Sequence, residues 1–338
     1  MKNNLKKCVK SICLRIPDWL WFVVERILCY CCSAEALEQL KIRRFARKLQ
    51  LHFEKTVAEI QKNRKCMIIS KGDFSYSCFN IAYLCNMLTL ILHSLYHGCI
   101  QVIKITDATE DSNKWDWYFV QPHEVMGIDI SEFEMIECEI ANHEFRPNMG
   151  QVHNRREFGW NFWQFLFKKY VILNEQTHQY ITTEMSEVGN PDKLLGVLIR
   201  GTDYIKLKPA GHPVQPEPQE IIDEAKARFG NQCFDGIYVA TEERVLFEQV
   251  VSAFGESMVF QNKREYYDSV YYSSQLREIG QVHFSRENDN YWKGLEYLSS
   301  LVILSQCKSL VAGNCGGTFF AMLMGNYRDP FVFDYGVY

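Results

Sequence analysis

Arg200, Gly201 and Asp203 close the run 194–204, Leu-Leu-Gly-Val-Leu-Ile-Arg-Gly-Thr-Asp-Tyr. The chemistry on offer is capture of an anion. A guanidinium is a permanently charged, forked donor set matched to phosphate oxygens, and the glycine lets a ligand approach the backbone. The plainer alternative is a surface turn in which Arg200 and Asp203 only pair with each other. A second candidate is Gly313-Asn314-Cys315-Gly316-Gly317-Thr318, a glycine-rich turn that opens a helix and aims backbone N–H groups at a negative charge. Each turn alone is weak evidence. Two of them at the ends of strands in one parallel sheet, one carrying an arginine, favour a ligand that bears phosphate.

The elements that must hold these turns are legible from spacing. Residues 194–198 are short and apolar, as expected of a buried strand. Residues 234–240 (Phe-Asp-Gly-Ile-Tyr-Val-Ala) read as a second strand, ending at Thr241, Glu242 and Glu243, whose hydroxyl and acids are expected to cap a following helix. Between them, Ile221, Ile222, Ala225 and Phe229 recur at helical intervals behind Pro218, predicting a crossover helix over 218–229. Strands at 257–260 and 309–312 follow, the latter after an apolar helix at 291–306. A helix over 319–324 comes next.

These motifs resemble a family. Gly-Val-Leu-Ile-Arg-Gly-Thr-Asp-Tyr, then Gly211-His212-Pro213, then Val239-Ala240-Thr241-Glu242-Glu243, then residues 307–317 are similar to the shared motifs of α-1,6-fucosyltransferases and protein O-fucosyltransferases, particularly bacterial relatives. The resemblance covers about half the chain. It is strongest from residue 194 to 317 and thinner upstream, at Lys71-Gly72-Asp73-Phe74-Ser75-Tyr76 and at Asn113-Lys114-Trp115-Asp116-Trp117-Tyr118-Phe119. It implies an α/β fold of two facing Rossmann-like domains, the GT-B type of glycosyltransferase, using GDP-fucose without a metal. Carried over by position, Arg200 matches the arginine that grips the donor phosphates and Asp203 the acid after it. His212, Thr241 and Glu242 match positions lining the donor side. Two positions depart from the pattern: Leu198 stands where many relatives have histidine, and Lys208 where the α-1,6 enzymes keep a glutamate base.

Inverting transfer from a nucleotide sugar requires a diphosphate leaving group to be neutralised and an acceptor hydroxyl to lose its proton. No two aspartates in the chain are separated by one residue, so there is no Asp-x-Asp to hold a divalent ion. Arg200 and the backbone of Gly316, Gly317 and Thr318 are expected to supply that stabilisation. Lysine is a poor base at neutral pH unless strongly desolvated, so the base is sought away from Lys208. Asp73, just after a strand over 66–70, is the first candidate; its alternative role is a helix cap or turn acid. His212 is the second.

The rest of the composition bounds the function. The 338 residues are 47% hydrophobic and 23% charged, enough for two domains with cores. A formal net charge of −4 and the absence of basic stripes from the C-terminal half argue against nucleic acid as partner. Thirteen cysteines, odd in number and scattered, fit a reducing cytosol, and Cys29, Cys31 and Cys32 form a cluster without the second ligand group that zinc requires.

Upstream, Lys2, Lys6, Lys7, Lys10 and Arg15 precede Trp19, Leu20, Trp21, Phe22, Val23 and Val24. That apolar run is too short to span a bilayer, but basic residues beside tryptophans suit an interfacial segment. Residues 1–32 are therefore an expected peripheral contact of a cytoplasmic protein with the inner face of a membrane; the competing reading is a helix packed on the protein's own body. Leu37, Leu40, Phe45, Leu49, Phe53, Val57 and Ile60 predict one amphipathic helix over 34–63. The expected organisation is an N-terminal helical extension (1–63), a Rossmann-like acceptor domain (64–190) and a Rossmann-like sugar-nucleotide domain (191–338). The partners are a nucleotide sugar and a glycan acceptor, the latter near Trp115, Trp117, Trp160 and Trp163, which are otherwise core residues. Two rivals remain at this level: transfer from another nucleotide sugar, and a relative that binds nucleotide or glycan without catalysis.

Overall fold

A computed structural model describes residues 16–71, 81–106, 112–138, 158–231, 233–274, 276 and 279–338. Asp73, and with it the whole 72–76 segment, lies outside them. The chain is α/β, with two sheets whose strand pairings are all parallel.

Among the described residues, helices α1 (Asp18–Cys31), α2 (Ala34–Leu51) and α3 (Phe53–Gln61) come first. The single helix expected over 34–63 is thus two. His52 leaves helical geometry at φ −136° and ψ 48°, and the break turns Phe53 edge-on to Phe165 and Tyr170, at 5.5 and 5.9 Å between ring centres. Aromatic packing of that kind outweighs one helical junction. Ser33 caps α2, accepting from the Ala36 N–H at 3.2 Å.

The first sheet has the order β2-β1-β3, from β1 (Lys65–Lys71), β2 (Ile100–Ile105) and β3 (Glu134–Glu137), with α4 (Ile81–Tyr96) as the β1–β2 crossover. After α5 (Pro122–Val125) and β3 come α6 (Phe158–Tyr170) and α7 (Glu175–Val188). Trp115, Trp160 and Trp163 are buried in the core, so those three rings are packing residues and offer no face to a sugar.

The second sheet is built from β4 (Leu194–Leu198), β5 (Gly236–Ala240), β6 (Val259–Phe260), β7 (Ser309–Gly313) and β8 (Phe331–Phe333), in the order β6-β5-β4-β7-β8. Every residue of β4, β5 and β7 is buried, the signature of a parallel sheet covered on both faces. Between the strands run α8 (Thr202–Leu207), α9 (Pro218–Asn231), α10 (Arg244–Phe254), α11 (Asp268–Ser273), α12 (Asp289–Ser305) and α13 (Gly316–Met324). The chain moves outward from β4 through β5 to β6, then returns across β4 to β7 and β8. The direction of winding therefore reverses between β4 and β7. In an open α/β sheet that reversal opens a crevice beyond the carboxyl ends of the two strands.

Helix α13 ties the sheet to the upstream helices. Phe319 packs edge-on to Trp160 at 5.6 Å and Phe320 to Phe167 at 5.3 Å. A second tie joins Tyr118 to α12: its hydroxyl donates to the Tyr291 carbonyl at 2.8 Å and the two rings stack at 5.5 Å.

Candidate functional site

The two turns singled out by sequence are those on either side of the reversal, after β4 and after β7. Gly317 sits where they meet. A Cβ there would lie 3.2 Å from Leu198 at the end of β4, from Leu301 and from the Tyr297 hydroxyl, so the start of α13 presses directly on the central strand. Leu198 fills that contact with a methyl group.

Arg200 follows β4 and is held between two carboxylates, Asp203 at 2.5 Å and Glu242 at 2.6 Å, with its side chain 18% exposed. The local pair with Asp203 is present, but so is Glu242 from the next strand, and the Tyr204 ring lies beneath the guanidinium at 5.0 Å. Burial acts to weaken the guanidinium's hold on its proton; Glu242 and then Asp203 more than offset that and raise its pKa. Its charge is fixed at every physiological pH.

Glu242 and Glu243 do more than open a helix. Glu242 accepts from the Gly201 N–H at 2.9 Å and the Thr202 hydroxyl at 3.0 Å. Glu243 accepts from the Thr202 N–H and, at 2.8 Å, from the Tyr272 hydroxyl. The capping expected of these residues is therefore corrected: Glu243 makes no side-chain cap on α10, the Thr241 hydroxyl accepts from the Glu243 N–H at 3.3 Å, and the Val245 N–H is served by Asp268 at 3.3 Å. The acids are drawn away because the β4–α8 turn has buried N–H groups that need acceptors. Thr202 stands at φ +45°, a conformation held by these bonds. Burial raises the Glu243 pKa, a shift partly opposed by the bonds from Thr202 and Tyr272. Burial likewise pushes the Tyr204 hydroxyl up to about 12.

Across the crevice, α13 begins at Gly316 with Cys315 as N-cap and no side-chain cap. The Thr318 hydroxyl turns inward to the Gly313 carbonyl at 2.6 Å. The donors of the β4–α8 turn are thus engaged by protein carboxylates, whereas the N-cap of α13 makes no side-chain capping bond to its first turn. A helix start with its partial positive charge is suited to phosphate.

His212 is exposed at the rim, its ring edge-on to Tyr204 at 5.3 Å. Its loop is pinned by residues 336–338: Pro213 bridges Val337, the Tyr338 N–H donates to the His212 carbonyl at 3.0 Å, and the Gly211 N–H to the Tyr338 carbonyl at 3.1 Å. Gln215 fastens the same loop to the second turn through the Asn314 carbonyl at 2.7 Å. Lys208 is exposed, in the left-handed region at φ 45°.

Arg200, Asp203 and Glu242 are thus joined by ion pairs after β4 and β5, with Thr241 beside Glu242 in the chain; Gly316, Gly317 and Thr318 begin α13 after β7, and His212 is exposed beside Tyr204. Tyr204 and Gln215 complete the surroundings without having been singled out by sequence, and Glu243, read from sequence only as a helix-opening acid, joins them through Thr202 and Tyr272. The signal for Glu243 was available: two adjacent acids at the end of one strand, opposite an arginine and a glycine at the end of the next. Among the described residues no group of three or more His, Cys, Asp or Glu is arranged to hold a metal ion. The tryptophan-rich motif is structural. Asn113 accepts from the Ile105 N–H at 2.8 Å and donates to the Ile103 carbonyl at 2.7 Å, and Gln121 accepts from the Ile103 N–H at 3.0 Å, so two side chains pair with the edge of β2 as a strand would.

Fold and site together define an α/β protein whose winding reversal carries an arginine after one strand and, after the other, a helix start without a side-chain cap. No family model matches the chain, and no curated protein matches it. Solved structures similar to it include the fucosyltransferase NodZ from Bradyrhizobium, at 13% identity and a TM-score of 0.46, covering 77% of this chain and 93% of that one. POFUT1 in complex with GDP-fucose is similar at 10% identity and a TM-score of 0.47, over 80% of this chain and 99% of that one. A mutant of Arabidopsis thaliana FUT1 in complex with GDP is similar at 9% identity and a TM-score of 0.46, over 89% and 79%.

Proposed function

We propose that the chain is an inverting, metal-independent glycosyltransferase of the GT-B type that moves fucose from GDP-fucose to a glycan acceptor in the synthesis of a bacterial surface polysaccharide. The observation that supports it most is Arg200, nearly buried and oriented by Asp203 and Glu242 at the winding reversal, opposite the uncapped start of α13. In this reading the donor diphosphate bridges the crevice, with the guanidinium on one side and the N–H groups of Gly316, Gly317 and Thr318 on the other. Thr241 and Glu242 border the nucleoside. Residues 191–338 carry the nucleotide, and residues 64–190 face them with the acceptor.

In the transfer the bond from the sugar's anomeric carbon to the phosphate oxygen breaks and the acceptor oxygen bonds to the opposite face. The hydroxyl proton passes to a base, Asp73 as first candidate and His212 as second. The negative charge that develops on the diphosphate is met by fixed donors, and removing one such donor commonly costs about 2.7–4 kcal/mol of barrier. The reaction takes place on the cytoplasmic side, with residues 1–32 against a membrane.

A second reading has its own observation. Arg200 already has two carboxylate partners, and Leu198 and Lys208 replace polar groups of the resembling family; together these fit a relative that binds nucleotide without transfer. The test is release of GDP and of free or transferred sugar from GDP-fucose, GDP-mannose and a uridine-diphosphate sugar. Turnover of GDP-fucose above the others upholds the proposal. Turnover of another donor overturns the sugar assignment, and GDP binding with no turnover of any donor favours the second reading.

A further inference from the structure

Helix α1 has two faces with different fates. Trp21 and Glu25 look inward: the Arg44 guanidinium lies over the Trp21 ring at 4.9 Å, and Lys41 pairs with Glu25 at 2.6 Å, fastening α1 to α2. The other face carries Phe22, Val23 and Ile27, which are 62%, 51% and 57% exposed, with Arg26 among them and its guanidinium over the Phe22 ring at 4.8 Å. Positions 22, 23, 26 and 27 fall on one side of a 3.6-residue helix. Three large apolar side chains left to water on one short surface need an occupant.

The charge distribution says which one. Residues 1–32 hold six basic side chains (Lys2, Lys6, Lys7, Lys10, Arg15 and Arg26) and two acids (Asp18 and Glu25), a net of +4. The whole chain is −4, so residues 33–338 carry −8. Two copies meeting face to face through this segment set +4 against +4 and repel, whereas a sheet of anionic headgroups attracts it. No helix among the described residues is long and apolar enough to cross a membrane, so the contact lies in the interface plane.

We infer that the outward face of α1 is a docking surface for an anionic lipid bilayer, with Phe22, Val23 and Ile27 entering the headgroup boundary and Arg26 at the phosphates. The inference deepens the membrane part of the proposed function by assigning the contact to one helix face and one class of lipid. It does not depend on the identity of the sugar donor. Binding of this kind combines apolar insertion with attraction to negative headgroups. Each basic residue near the surface is worth about a fivefold gain in partition, and salt at molar strength, which shortens the screening length to about 3 Å, removes that part.

The experiment is cosedimentation of the full-length protein with vesicles of phosphatidylcholine alone or with about a third phosphatidylserine. Wild type is compared with Phe22→Asp/Ile27→Asp and with a variant in which Lys2, Lys6, Lys7 and Lys10 are changed to Gln. Circular dichroism and the melting temperature show that each is folded. The inference predicts binding to the anionic vesicles only, weakened by molar salt and lowered at least about tenfold by the double substitution. Equal binding by the double variant with loss in the Lys→Gln variant overturns the helix-face assignment and keeps a membrane contact through the basic run. Failure of wild type to bind any vesicle overturns both. Self-association of wild type that the double substitution abolishes, without lipid binding, makes the face a contact between copies. GDP-fucose turnover measured on the same proteins stands or falls separately.

Discussion

Gly201→Ala tests whether Glu243 is the floor of the arginine turn. Gly201 has no left-handed strain to relieve, with φ −113° and ψ −138°, so the cost of a side chain there is one of space. A Cβ would lie 2.2 Å from Glu243 Oε1, 2.5 Å from its Cδ and 3.0 Å from a Leu246 methyl. The methyl can move, but the carboxylate must leave, and with it go the acceptor of the Thr202 N–H and that of the Tyr272 hydroxyl. Overpacking of a tight site costs about 1–3 kcal/mol and a buried donor left unpaired about 1–3 kcal/mol; with part of each relieved by relaxation, a loss of about 2–4 kcal/mol is expected. The assay is a double-mutant cycle by urea unfolding with Glu243→Ala as the second site. In the Glu243→Ala background the obstructing carboxylate is gone, so Gly201→Ala is expected to cost less than about 1 kcal/mol there. An equal cost in both backgrounds would refute the reasoning and place the restraint in the backbone.

Glu243→Gln keeps the shape and an acceptor oxygen but no longer titrates. Because burial raises the folded-state pKa of Glu243 above the unfolded value of 4.5, the folded state holds the proton more tightly, and this group's contribution to stability falls as pH rises from 4.5 through the raised value. The Gln variant therefore gains on wild type across that window in urea midpoints, whereas a difference constant with pH would contradict the assignment. Asn113→Ala removes both pairings with the edge of β2 and is expected to cost about 2–3 kcal/mol in urea unfolding with unchanged GDP affinity; loss of GDP affinity in a folded variant would show that the motif reaches the ligand.

The second sheet was readable because its strands are short apolar runs separated by turn residues and by helices with clear spacing. β4 and β5 need burial on both faces, and sequence shows that directly. The order of strands, and hence the reversal between β4 and β7, is not a local property and emerges only from the pairing. Residues 158–170 have a helical signal in Trp160, Trp163, Phe167 and Tyr170, but so many aromatics in one stretch also suggest a sugar-stacking surface; burial against Phe319 and Phe320 decides for the helix. β3 and β8 escape notice because Glu134–Glu137 and Phe331–Phe333 are too short to show a period. At the site, the groups whose chemistry is clearest in sequence, Arg200 and the Gly316-Gly317 turn, lie after the two strands that flank the winding reversal. Sequence alone presents Glu242 and Glu243 as caps of the helix that does open at Arg244 and misses their bonds to the β4–α8 turn, because an acid after a strand looks the same whether its partner is its own helix or a turn forty residues upstream.

The central claim is that a diphosphate meets Arg200 at the winding reversal, and calorimetric titration of GDP into wild type, Arg200→Ala and Arg200→Lys tests it most directly. Loss of the guanidinium leaves Asp203 and Glu242 without their counter-charge, so the lysine variant, which keeps a charge without the fork, guards against simple unfolding, and melting temperatures are compared alongside. The account predicts measurable GDP binding by wild type, weakened about 30-fold or more in Arg200→Ala, the loss expected when one side of a buried charge pair is truncated, and clearly weakened in folded Arg200→Lys. Binding of GDP with equal affinity by all three would contradict it.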